Sequence, residues 1–163
     1  MHNSPQNAEN SPSSTQTAVS DQSVTTDRLL PGTDLKIIPR RLLVVEDHES
    51  TATVMQRLLQ RHGHKVWVAL SYQQALEISA EHSIEALICD LELPDGDGCD
   101  LLRELQSISS IQGIVVSGHG TASDLARSRN AGFLAHLVKP FDITQIEHTL
   151  SELIPSGISE AVQ

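Results

Sequence analysis

Residues 86–98 read ALICDLELPDGDG. Four apolar residues, Ala86 to Cys89, end on the carboxylate of Asp90; a polar stretch of Asp, Gly and Pro follows, and apolar side chains return at Leu101, Leu102, Leu105 and Ile108. A short unbroken apolar run suits a strand covered on both faces, and apolar residues three and four apart suit one face of a helix. The segment therefore reads as a strand, a polar turn at its carboxyl end, and a helix.

The same unit recurs on both sides. The strand candidates are Leu42–Val45, Val66–Ala69, Ala86–Cys89, Ile114–Val116 and Leu134–Val138. Helical stripes fall between them: Thr51, Val54, Met55, Leu58 and Leu59, stopped by Gly63; Tyr72, Ala75, Leu76 and Ser79; the stripe from Leu101; Leu125 with Ala126, opened by Thr121 and Asp124 as a cap; and Ile143, Ile146, Leu150 and Leu153. Five alternations of strand and helix predict an α/β domain with a parallel, doubly wound sheet over residues 39–155. Residues 1–38, rich in Ser, Thr, Asn, Gln and Pro, are expected to form a disordered tail or linker. Residues 156–163 make a short C-terminal tail, far below the roughly 50 residues of an output domain, so no DNA-binding module is expected.

Composition narrows the function classes. The chain carries a formal charge of −10, and from Pro39 onward 17 acidic residues face 9 basic ones, which disfavours a nucleic-acid partner. One Trp, one Tyr and two Phe are too few for a base-stacking platform. The two cysteines, Cys89 and Cys99, read as free thiols of a reducing compartment. No stretch approaches the ~20 apolar residues of a membrane span and no secretion signal opens the chain, so no membrane association and a cytoplasmic location are expected.

Ligands of an open parallel sheet bind beyond the carboxyl ends of its strands. Here those positions hold Glu46 and Asp47 after the first run, Asp90 after the third, Ser117 and Gly118 after the fourth, and Lys139 and Pro140 after the fifth. Three carboxylates gathered at one edge repel one another unless they hold a cation, and magnesium, or manganese, suits such oxygen donors. Pro94 stands where an EF-hand loop needs an oxygen ligand, and the eight histidines show no zinc spacing; His62 and His64 flank a turn and are expected in solvent. A carboxylate can attack phosphorus when cations neutralise the charge on the transferred group. Asp90 is then the nucleophile, with the Lys139 ammonium and the Ser117 hydroxyl on the phosphoryl oxygens.

With the acidic pair Glu46 and Asp47, Asp90, Ser117 and Lys139-Pro140-Phe141 in register with the strands, the segment from Arg41 to Ile154 resembles the receiver domains of bacterial two-component response regulators. The resemblance implies a flavodoxin-like (βα)5 fold with strand order 2-1-3-4-5. It also implies a metal site made by Asp47, Asp90 and the backbone carbonyl of Glu92, with Glu46 acting through water, and a cis bond between Lys139 and Pro140. Pro94 and Gly98 would set the turn behind the acceptor. The partners implied are a histidine kinase or phosphotransfer protein, and a downstream protein target or a second copy of the chain. His136 departs from the pattern, standing where many receivers carry Tyr or Phe as a switch residue, and the stretch around it is more like receivers attached to hybrid sensor kinases. The reading is of a phosphoacceptor signalling domain, not an enzyme with a separate substrate.

Other readings remain open from the residues. A haloacid-dehalogenase-type phosphohydrolase would use Asp90 as nucleophile and Glu92 as acid/base, although its nucleophile follows the first strand. A flavodoxin-like cofactor binder would need a phosphate loop where Glu46 and Asp47 stand. A receiver-like docking domain independent of phosphate would share the fold without the chemistry.

Overall fold

The computed structural model describes residues 37–153; the expected tails, apart from residues 37 and 38, lie outside the described residues. The elements run β1 (Arg41–Val45), α1 (Glu49–Arg61), β2 (Lys65–Ala69), α2 (Tyr72–Glu81), β3 (Ala86–Cys89), β4 (Glu92–Leu93), β5 (Gly96–Asp97), α3 (Gly98–Ile108), β6 (Gln112–Ser117), α4 (Ala122–Ala131), β7 (Phe133–Val138) and α5 (Ile143–Ser151). Five strands form one sheet in the order β2-β1-β3-β6-β7, every pair parallel, which is 2-1-3-4-5 when only these five are counted. β4 and β5 are a small antiparallel hairpin within the polar turn after β3.

Strand alternation divides the core into two layers. Leu43, Val45, Leu87, Cys89 and Val115 pack with Ala75 of α2 and with Leu101, Leu102 and Leu105 of α3. Leu42, Val44, Ile88, Ile114 and Val116 face the other way, toward Met55 and Leu59 of α1 and Ile146 and Leu150 of α5. The three inner strands, β1, β3 and β6, are covered on both faces, which is why they read as unbroken apolar runs. Gly63, at φ +96°, closes α1 in the left-handed conformation expected of it. The Thr121 hydroxyl caps α4 by accepting from the Asp124 amide at 3.1 Å. Cys89 and Cys99 are buried free thiols.

Four stripe positions turn outward. Val54 is 56% exposed because it lies about 100° round α1 from Met55, and Ala52 takes the buried place. Ile108, the last residue of α3, is 69% exposed, and Ile111 just beyond the helix fills the core instead. On α4, Leu125 and Ala126 are exposed and the buried residues are Ser128 and Ala131.

The expectation of solvated histidines at 62 and 64 is overturned. His64 is only 5% exposed. Its Nδ1 accepts the Arg40 amide at 3.1 Å, so the proton of the neutral ring sits on Nε2, which faces both Glu147 carboxylate oxygens at 3.1 and 3.0 Å. His62 Nδ1 lies 2.8 Å from the same carboxylate, and the Arg40 guanidinium donates to the Leu153 carbonyl at 2.8 Å. The turn at Gly63 folds both rings beneath α5, where a buried carboxylate supplies the acceptor that a buried imidazole N–H requires. Burial alone would raise the Glu147 pKa, but the hydrogen bonds from His64 and then His62 outweigh it and hold the carboxyl below its ordinary value.

Candidate functional site

The backbone ladder runs one residue past the strands and so fixes the site. The Glu46 amide donates to the Ala69 carbonyl of β2 at 3.1 Å, the Asp90 amide to Val45 of β1 at 3.0 Å, and the Lys139 amide to Ser117 of β6 at 2.8 Å. Each acceptor is the last residue of its strand. Glu46, Asp90 and Lys139 are thereby brought to one edge before any side-chain contact is considered.

The side chains then converge. Lys139 Nζ donates to Glu46 Oε2 at 2.6 Å and to Asp90 Oδ2 at 3.4 Å. The Lys139–Pro140 peptide bond is cis. Burial disfavours the ammonium, yet Glu46 and then Asp90 overcome that and raise the lysine pKa, so it stays charged. Glu46 is buried, whereas Asp90 is partly open to solvent and Asp47 more so. The Glu92 amide donates to Asp90 Oδ1 at 3.2 Å, while its side chain points to solvent.

Gly98 sits against the back of the loop that follows Asp90. A Cβ there would lie 2.3 Å from the Asp90 carbonyl oxygen and 3.1 Å from Cys89 Sγ, so a side chain is excluded. The hairpin between Asp90 and Gly98 is tied down at two further points. Asp95 accepts from the Tyr72 and Gln73 amides at the start of α2, at 2.7 and 2.9 Å, and Asp97 caps α3 through Cys99 and pairs with Arg127 of α4. Pro94 lies in the turn between β4 and β5.

Ser117 ends β6, beside β3, and is buried; its Oγ accepts from the His119 amide at 3.2 Å. His136, half-buried on β7, joins that loop to α4: Nδ1 is 2.9 Å from Ser128 Oγ and Nε2 is 3.1 Å from the His119 carbonyl. A carbonyl only accepts, so Nε2 carries a proton. The ring holds the stretch after Ser117 against α4 at Ser128.

One residue escaped the sequence reading. Among the described residues the group of metal-ligating side chains close enough to share an ion is Glu46, Asp47 and His48, and Asp90 is not in it. His48 Nδ1 lies 2.9 Å from Asp47 Oδ1 and 3.0 Å from Glu46 Oε1. The signal was available, since His48 directly follows the acidic pair. Its hydrogen bond to Glu46, aided by the charge of Asp47, raises its pKa. Three carboxylates around a single ammonium leave the edge net negative, and predominantly oxygen donors of this kind fit a hard divalent cation such as Mg2+.

The profile of the response regulator receiver domain matches residues 42–151. Over 121 residues the chain is 34% identical to the sensory/regulatory protein RpfC of Xanthomonas campestris pv. campestris, a match covering 71% of this chain and 17% of that protein. It is 25% identical over 116 residues to sporulation initiation phosphotransferase F of Bacillus subtilis, covering 71% of this chain and 94% of the relative. The crystal structure of a response regulator receiver domain protein from Clostridium thermocellum superposes with a TM-score of 0.66 at 27% identity, over 71% of this chain and 94% of the other. The sheet order, the aligned strand ends and these likenesses converge, and the chain belongs to the response regulator receiver domain family.

Proposed function

We propose that Asp90 accepts a phosphoryl group from a phosphohistidine on a partner histidine kinase or phosphotransfer protein, and that the phosphorylated domain switches a protein-binding surface. The observation that carries this reading is the Asp90 carboxylate 3.4 Å from the Lys139 ammonium, itself held at 2.6 Å by buried Glu46. Asp90 retains solvent access, as a nucleophile meeting a partner's phosphate must. In the transfer an Asp90 carboxylate oxygen bonds to phosphorus while the phosphorus–nitrogen bond of the donor breaks, and the imidazole leaves with the electron pair. Lys139 neutralises one phosphoryl oxygen, and the Ser117 hydroxyl reaches another after releasing the His119 amide.

Mg2+ or Mn2+, held by Asp47, Asp90 and the Glu92 carbonyl with Glu46 in support, would supply positive charge to the remaining oxygen. Movement of Ser117 would disturb the loop that His136 clasps through the His119 carbonyl, and with it the packing of α4 through Ser128. Relatives whose names denote a phosphotransferase and a sensory/regulatory protein support a place in a phosphorelay.

Intact mass after incubation with acetyl phosphate tests this. A single phosphoryl adduct is expected only with divalent metal present and not in Asp90→Asn. An adduct that survives in Asp90→Asn would name another acceptor. A chain that takes no phosphate from either acetyl phosphate or a kinase and binds no magnesium would be a phosphate-independent docking domain.

A further inference from the structure

We propose that residues 29–35 dock their three leucines into an apolar groove between α1 and the start of α5, so that the chain covers this face itself. The docking stands apart from the phosphoryl reading; only its consequence for Asp90 rests on that reading.

The groove holds about 360 Å3 and is lined by Thr51, Val54, Met55 and Leu58 of α1 and by Phe141 and Ile143. The four α1 positions follow the helical period and make one stripe. Met55 belongs to the core, yet Val54 beside it is more than half exposed, so the stripe is covered on one side only.

The chain enters the domain at the foot of this groove. A Cβ on Gly63, just past α1, would lie 4.0 Å from Pro39 Cγ, and Ile37 is half-buried. Arg40 donates to the Leu153 carbonyl, just past α5. The segment before Ile37 therefore joins the domain between the ends of the two helices that flank the groove.

Reach then selects the occupant. Counted back along α1 at ~1.5 Å per residue, Leu58 lies about 8 Å and Val54 about 14 Å from Gly63. Extended chain covers ~3.3 Å per residue, so the path from Pro39 back to Leu35 spans about 13 Å and brings Leu35 level with Val54. Residues 1–36 contain three leucines, and all fall between 29 and 35. Leu29 and Leu30 would overshoot on a straight path, but Pro31-Gly32 suits the centre of a type II turn, which returns them to the same stripe. Asp34, next to Leu35, would meet exposed Arg57 on the rim. So short a tether sets a local concentration on the order of millimolar, which a separate molecule rarely matches.

The upper end of the groove, at Thr51 and Phe141, is four residues from Asp47 and two from Lys139. The docked segment thus stands beside the approach to Asp90, and a protein bringing a phosphoryl group across α1 must displace it. A segment that binds in trans with Kd ~0.1 mM is about 90% docked in cis, and it lowers the affinity of such a partner about tenfold.

Methyl NOESY of the full chain tests the docking. Cross-peaks are expected from the Leu29, Leu30 and Leu35 methyls to those of Val54, Leu58 and Ile143, with none between chains in an isotope-filtered mixture of labelled and unlabelled protein. A peptide of residues 27–37 should bind the triple variant Leu29→Ser, Leu30→Ser, Leu35→Ser about tenfold more tightly than the wild type and shift the same groove methyls. The three substitutions lie outside the sheet and its helices, so the groove itself stays intact. A wild type without cross-peaks from the leucines to the groove would overturn the proposal. Cross-peaks in the mixed sample would give the groove to a second copy, and equal peptide affinity for the two proteins would mean that the wild-type groove is open; either result overturns it as well.

Discussion

Replacing Glu147 separates two ways of emptying the same buried site. In Glu147→Ala both histidines lose their acceptor. His62 is partly open and can turn to water, but His64 cannot move its proton, because its Nδ1 is occupied by the Arg40 amide. The Nε2–H is left buried without a partner, at a cost of about 1–3 kcal/mol, and the lost side-chain volume adds about 1 kcal/mol, for a total of roughly 2–4 kcal/mol. In Glu147→Gln the amide oxygen still accepts from His64, and the amide NH2 can donate to His62 once that ring carries its proton on Nε2. Only the charge assistance is lost, about 1 kcal/mol. Urea unfolding at pH 7.5 measures both. Because the folded Glu147 carboxyl titrates below its ordinary value, its contribution is complete above the unfolded carboxylate range near pH ~4.3 and is lost as pH falls through the folded value. The gap between wild type and Glu147→Gln should therefore hold from pH 7.5 to 5 and shrink below 4. Equal losses in the two variants, or a loss in Glu147→Ala below about 0.5 kcal/mol, would refute the proton assignment of His64.

The acceptor loop and the acidic edge give three further expectations. Gly98→Ala drives a Cβ against the Asp90 carbonyl and should destabilise by about 1–3 kcal/mol in urea while lowering the acetyl phosphate adduct, since loop and acceptor move together. Asp47→Asn removes one of the crowded carboxylates, so the metal-free protein should melt no lower than the wild type, whereas the rise in melting temperature on adding Mg2+ should disappear; at tenfold over Kd that rise corresponds to about 1.4 kcal/mol. Arg127→Ala breaks a half-exposed ion pair with Asp97 and should change unfolding free energy by no more than about 1 kcal/mol.

What could be read from the chain divides by range. The three inner strands were legible because burial on both faces writes an unbroken apolar run, and the candidate site was legible because Glu46, Asp90, Ser117 and Lys139 each directly follow an apolar run. Glu46, Asp90 and Lys139 are distant in sequence, yet the parallel ladder brings every strand end to one edge, so local position was enough. Helix faces were less legible: Val54 and Ile108 satisfy the period of a stripe, but which side of that stripe meets the sheet depends on where the helix lies on it. The α4 stripe failed for a related reason, since its buried face uses the hydroxyl of Ser128 in place of an apolar side chain.

The histidine pair shows the limit of the same rule. Nothing near His62 and His64 distinguishes them from two polar residues around a glycine turn, and their partner is 85 and 83 residues away on α5. No strand-end rule applies to Glu147, which sits within a helix facing the strand-entry end of the sheet where Arg40 leads into β1. Polar residues at the carboxyl edge are aligned by the ladder itself, whereas those at the opposite end meet only if a helix packs across them. Acidic and basic partners there can be inferred once the α5 face is known, because a buried imidazole whose Nδ1 already accepts an amide must find an acceptor for Nε2, and Glu147 is the carboxylate that the helix presents.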